Sequence, residues 1–123
     1  MGTVDDYLAR RDEPRRAQLE RLYAIAEEVV AEHGGTVEQG ESYGMAALLY
    51  RGKGLFSAQD TAKHIGVYPF SATAVEHIIE EFGPGHHAKG ALRYPFESSA
   101  AEPQIRSVVA YRLGEIDARL DKQ

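Results

Sequence analysis

From Thr36 to Tyr68 apolar and polar residues alternate with a period of two, and only short glycine-bearing breaks interrupt the pattern. Val37, Gln39 and Glu41 alternate with Glu38, Gly40 and Ser42. After a break at Tyr43-Gly44, Met45, Ala47 and Leu49 alternate with Ala46, Leu48 and Tyr50. Arg51-Gly52-Lys53-Gly54 reads as a hairpin turn, Leu55 to Gln59 as a third strand and Gln59-Asp60-Thr61-Ala62 as a second turn. Lys63 to Tyr68 is the fourth strand, with Lys63, Ile65 and Val67 on one face and His64, Gly66 and Tyr68 on the other. Hairpin links of this length join antiparallel neighbours, so the stretch specifies a meander with one apolar and one polar-aromatic face.

The flanking segments change period. Thr3 and Asp6 resemble a capping box ahead of a short helix, Val4 to Arg10, with Tyr7 and Leu8 on its buried side. Pro14 opens a long helix whose stripe is Leu19, Leu22, Tyr23, Ala26, Val29 and Val30, and Gly34-Gly35 ends it. Thr73 and Glu76 suggest a capped helix, Ala74 to Phe82, with Val75, Ile78, Ile79 and Phe82 inward. Ala91 to Phe96 is a fifth strand. Ser98-Ser99 and Pro103 open a last helix with Ile105, Val108, Val109, Leu113, Ile116 and Leu120 on one side. The expected architecture is α+β, an antiparallel meander sheet with helices packed on one face, in a single domain spanning residues 1–123.

Charge and composition narrow the function. With 14 Lys and Arg against 19 Asp and Glu, the chain lacks the concentrated positive face that nucleic acid requires. It has no cysteine, which removes disulfides, thiolate metal sites and a cysteine nucleophile and fits a reducing, cytoplasmic setting. No run approaches the roughly 18 apolar residues of a membrane span, and the first residues have neither a basic start nor an apolar signal core. There is no G-x-S-x-G, H-E-x-x-H, P-loop or G-x-G-x-x-G before a helix, and His64 alone is no mechanism. The expectation is a non-enzyme.

Three strings carry a resemblance: Ser42-Tyr43-Gly44-Met45, His64-Ile65-Gly66-Val67-Tyr68-Pro69, and Lys89-Gly90 with Arg93-Tyr94-Pro95, together with Thr3-Val4-Asp5-Asp6-Tyr7-Leu8. On these the chain resembles, over nearly its whole length, the YdhG-like family of small bacterial proteins. That family has no assigned activity and is grouped with the frataxin-like (YjbR/CyaY-like) superfamily. Ala46 stands where members usually have proline, and Leu48 where an aromatic is common. The resemblance implies a frataxin-like fold and an iron-chaperone role, with iron the one cofactor.

Iron in such a protein is expected on a carboxylate ridge. Here that would be the outer face of the long helix and the next strand: Glu27, Glu28, Glu32, Glu38 and Glu41, with Glu20 beside them. Glu28 and Glu32 are an i,i+4 like-charge pair that helix stability does not explain, although Arg15, Arg16 and Arg21 dilute the acidity and a solvated face is the simpler account. A lesser metal candidate is His77 with Glu81 at i,i+4, near Glu76, Glu80, His86 and His87. The alternative is metal-free: Tyr43, Met45, His64, Tyr68, Lys89 and Arg93, with Tyr94, form a face suited to a small anionic ligand or a protein partner. Against it, the tyrosines could simply pack over the glycines. Neither nucleic acid nor a membrane is expected as partner, and the chain is expected to be a monomer or weak homodimer.

Overall fold

The computed structural model describes residues 2–85, 87–96 and 102–122. The elements run α1 (Thr3–Ala9), α2 (Arg15–Glu32), β1 (Glu38–Ser42), β2 (Met45–Tyr50), β3 (Lys53–Asp60), β4 (Ile65–Tyr68), α3 (Ala72–Phe82), β5 (Leu92–Tyr94) and α4 (Glu102–Asp121). The strands form an antiparallel five-stranded sheet in the order β1-β2-β3-β4-β5, so the expected α+β meander is present. The proposed Ser98-Ser99 start of the last helix, and His86, lie outside the described residues.

The two tight turns explain the meander. Tyr43 and Gly44 have φ of 51° and 76°, and Arg51 and Gly52 have φ of 53° and 80°. A two-residue loop with both central residues left-handed matches the twist of the strands it joins. The second turn is therefore shorter than the four residues expected, and Lys53 and Gly54 already belong to β3, where they pair with Tyr50 and Leu49.

Helix ends also differ in detail from the sequence reading. Gly2, not Thr3, caps α1, and the Asp5 carboxylate accepts the Gly2 N–H at 3.4 Å. Ser71 caps α3 by accepting the Ala74 N–H at 3.0 Å, so the Thr73–Glu76 box is not the start. The end of α2 is as read: Gly34, at φ 79°, donates to Ala31 and Gly35 donates to Val30, which satisfies two carbonyls of the last turn.

One core cluster joins the helices to one sheet face. Val4 of α1, Leu22, Tyr23, Ala26 and Val30 of α2, Val75 and Ile78 of α3, and Ile105, Val109 and Ile116 of α4 meet Leu48, Phe56, Ala58, Ile65, Val67, Leu92 and Tyr94. Ile79 and Phe82, read as part of the α3 stripe, stand out from the surface instead. Ala47, Ser57 and Gly66 alternate with the core-facing strand residues; they are buried but lie outside the cluster. Tyr68 closes over this second face, since a Cβ at Gly66 would meet the Tyr68 hydroxyl at 2.7 Å.

The sheet opens between β2 and β3. Their registered pairs run from Tyr50↔Lys53 to Leu48↔Phe56, with a bulge between Leu48 and Leu49. Farther along β3, the Ala58 N–H donates to the Tyr23 hydroxyl at 3.0 Å and the Asp60 N–H to the Tyr7 hydroxyl at 2.8 Å. Two helix tyrosines thus occupy bonding positions that a continued β2 would fill, as buried N–H groups require.

Candidate functional site

The open side of the sheet carries two separate hollows, and they divide the predicted residues between them. The first, about 260 Å³, is lined by Tyr43, Met45, Tyr68, Phe70, Ser71, Ala72 and Gly90. It is built by the β1–β2 turn, the end of β4 and the start of α3. Tyr43 is 86% exposed and stacks on Phe70 with ring centroids 5.9 Å apart and planes 19° from parallel. Both rings hang from left-handed backbone, at φ 51° and 58°. That conformation costs a residue with a Cβ about 1–2 kcal/mol. At Tyr43 that cost is not repaid by burial, because the ring is almost wholly in solvent, whereas Phe70 is half-buried and packs over Gly54.

The second hollow, about 250 Å³, is lined by Lys63, His64, Arg93, Tyr94 and Pro95. β4 begins only at Ile65, because Thr61 and His64 close a turn through the Thr61 N–H to the His64 carbonyl at 3.0 Å. This correction matters for Lys63. It leaves the strand face assigned to it beside Ile65 and Val67, where a lysine would have entered the core, and sits in the turn. Gly66 pairs with Arg93, and Ile65 with Tyr94. Lys89 stands exposed on the turn beside Gly90. The predicted set Tyr43, Met45, His64, Tyr68, Lys89 and Arg93 is therefore two groups plus a neighbour, not one constellation.

Tyr94 forms part of the wall of the second hollow and is largely buried. Its hydroxyl donates to Gln104 at 2.7 Å, and burial raises its pKa, so it stays neutral. Burial likewise raises Tyr23, offset by hydrogen bonds from Ser57 and Ala58.

The carboxylates of the expected iron ridge are engaged elsewhere or dispersed. Arg106 of α4 pairs with Glu32 and lies 3.6 Å from Glu28, and Arg21 reaches Glu28 at 3.3 Å and Glu102 at 2.6 Å. These arginines account for the like-charge Glu28–Glu32 pair. Glu38 and Glu41 are three residues apart on β1, which places them on opposite sheet faces. Glu27 is exposed on α2. Among the described residues, no three His, Asp or Glu are placed to hold a metal ion.

His77 and Glu81 do meet, at 3.5 Å, but in the company of Ser107. The Ser107 hydroxyl donates to Glu81 at 2.6 Å and lies 3.3 Å from His77 Nε2. Serine and carboxylate thus approach the same imidazole nitrogen, whereas an acyl-transfer triad needs them on opposite ones. The cluster, with His77 stacked on Tyr111 at 4.4 Å, fastens α3 to α4.

The sequence reading does not assign Phe70, Ser71, Ala72 or Lys63 to a site. Phe70 follows Tyr68-Pro69 directly, and an aromatic between a strand-ending proline and a helix cap was the available signal. Lys63 was visible as a charge at a core-parity position.

With this geometry the described residues form an open-faced α+β protein in which four helices and a five-stranded antiparallel meander share one core, with the two hollows on the free side. No family model matches the chain, and no curated protein does. Among solved structures it is similar to the crystal structure of YdhG, a DUF1801-family protein from Bacillus subtilis, with a TM-score of 0.72 and 13% sequence identity over 94% of this chain and 91% of that one. The two share a fold. No helix among the described residues is long and apolar enough to cross a membrane.

Proposed function

We propose that this chain is a non-catalytic binding module whose contact point is the Tyr43–Phe70 hollow, and that its partner is a protein that inserts one apolar or aromatic side chain there. The observation that carries this reading is the exposed Tyr43 ring, held at φ 51° on Phe70. Stacked rings offer a flat apolar face with a phenol handle, and Met45 supplies an adaptable thioether beside them. A volume of about 260 Å³ lies below the usual range of roughly 300–1,000 Å³ for whole organic ligands, which favours a single side chain. Strand addition is a poorer route, because edge strand β1 carries Glu38 and Glu41 and β5 has three residues. A photo-crosslinking residue at Tyr43, compared with one at exposed Glu20, tests this. A discrete adduct from Tyr43 alone, whose purified partner binds wild type and loses affinity for Phe70→Ala, is the expected result. Identical adduct patterns at both positions would remove the reading.

The alternative keeps the frataxin-like placement and assigns weak iron delivery to Glu27, Glu28, Glu32, Glu38 and Glu41. Its support is the sequence resemblance and the one core shared by helices and a single sheet face. The arginine pairing of Glu28 and Glu32 weighs against it. Iron-induced broadening of amides from residue 27 to 41 would favour it over the first reading.

A further inference from the structure

We infer that the second hollow is a phosphate-group site for a small phosphorylated molecule, independent of the aromatic hollow and of the reading built on it. Lys63, His64 and Arg93 line it from the β3–β4 turn and from β5. Among the described residues none of these side chains is hydrogen-bonded or ion-paired within the protein, whereas Arg16, Arg21, Arg51, Arg106 and Arg112 all find carboxylates. In a chain with 19 acidic against 14 basic residues, two cations and an imidazole with no ion pair to any described carboxylate are a local reversal of sign.

The surroundings preserve that reversal. Arg93 pairs with Gly66, which has no side chain to engage the guanidinium. The Tyr94 hydroxyl is committed to Gln104 and stays protonated, so the wall adds no negative charge. The hollow therefore offers donor side chains from Lys63, His64 and Arg93 beside Tyr94 and Pro95. A guanidinium can meet two oxygens of a phosphate at once, and a lysine adds a point charge. A space of about 250 Å³ holds one such group with a short stem, not a nucleotide.

The test is an amide-resolved NMR titration with inorganic phosphate against chloride at matched ionic strength, on wild type, Lys63→Gln and Arg93→Gln. Both substitutions are at exposed positions, and the amide spectra report folding directly. The expected result is saturable shifts at residues 63–66 and 92–94, weakened about ten-fold in each variant, with those around Tyr43 unmoved. Shifts that rise linearly without saturation, that match those of chloride, or that survive both substitutions would overturn the inference. So would sedimentation with phosphatidate vesicles in the absence of saturable phosphate binding, because that would reflect a charged surface rather than a site for a free small molecule.

Discussion

The Tyr23 hydroxyl of α2 accepts the Ala58 amide of β3 at 3.0 Å, a bond that belongs to β2 in an uninterrupted sheet. The same oxygen lies 3.0 Å from the Ala58 carbonyl and 3.1 Å from that of Ala46, and Ser57 also donates to Ala46 at 2.7 Å. The helix layer is therefore hydrogen-bonded into the sheet as well as packed on it. Tyr23→Phe keeps the ring against Phe56 and strands a buried N–H, which costs about 1–3 kcal/mol. Urea unfolding is expected to show that loss, with the Ala58 amide gaining most in hydrogen-exchange rate. Tyr7→Phe is expected to cost less, since the Asp60 amide is only partly buried. An unchanged midpoint for Tyr23→Phe would mean that another group takes the amide.

This junction marks the limit of what the sequence reveals. Period-two alternation identifies the strands, and helical spacing marks Tyr23 as a core residue, because both signals come from burial along one element. That the Tyr23 hydroxyl would stand in for β2 depends on where β2 and β3 diverge, beyond the Leu48–Phe56 pair, and no local pattern in either strand marks that point. The site was legible in the same partial way. Tyr43, Met45, Tyr68, His64 and Arg93 were singled out by their strings, but their division into two hollows depended on β4 starting at Ile65 rather than at Lys63.

Tyr43 is a poor choice for its turn if stability alone is considered. Asn-Gly is the favoured pair where both central residues are left-handed, and asparagine visits that region at lower cost. Relief of strain outweighs the loss of a largely solvent-exposed stack, so Tyr43→Asn is expected to stabilise the fold by about 0.5 kcal/mol. It is also expected to abolish the Tyr43-dependent partner contact. A destabilised variant in thermal unfolding would show that the stack with Phe70 is structural.

Alkaline pH is expected to unfold the protein through its buried phenols. Burial raises the pKa of Tyr23 and Tyr94 above the ordinary 10.0. Below the unfolded value both states keep the proton and the phenols add no pH dependence. Above it the unfolded chain loses protons that the native chain retains, so stability falls with rising pH until the native phenols ionise. Spectrophotometric titration of the seven tyrosines is expected to show Tyr23 and Tyr94 ionising only with unfolding. A single reversible phase with unchanged amide circular dichroism would contradict this.

At acid pH the sign reverses at the α4 end. Arg51 chiefly, and then the Tyr50 hydroxyl, hold Asp117 below its ordinary 3.8 by hydrogen bonding, each at 2.8 Å. A depressed carboxylate stabilises the native state above its unfolded pKa, and that contribution is lost as pH falls through the native value. The contribution is small, because the cluster is partly solvated. Tyr50→Phe is expected to raise the Asp117 pKa measured by carbon NMR, without moving the neutral-pH unfolding midpoint much. No change in that pKa would leave Arg51 as the sole cause.

The iron question has a direct lever in Arg106. In the native protein this guanidinium pairs with Glu32 and approaches Glu28, so a cation at those carboxylates must first displace it. Arg106→Gln removes the competitor at Glu32 and leaves Arg21 beside Glu28, so the like-charge pair one helical turn apart, which costs a few tenths of a kcal/mol, is only partly neutralised and a bound cation would relieve it. If the α2 carboxylates have any metal affinity, the variant is expected to bind ferrous or manganous ion more tightly than wild type, seen as paramagnetic broadening centred on Glu28 and Glu32. The same broadening in both proteins would show that Arg106 yields readily and would restore the ridge. Broadening in neither would mean that two carboxylates without a third ligand do not hold the ion, and it would leave binding at the aromatic hollow as the better account of this fold.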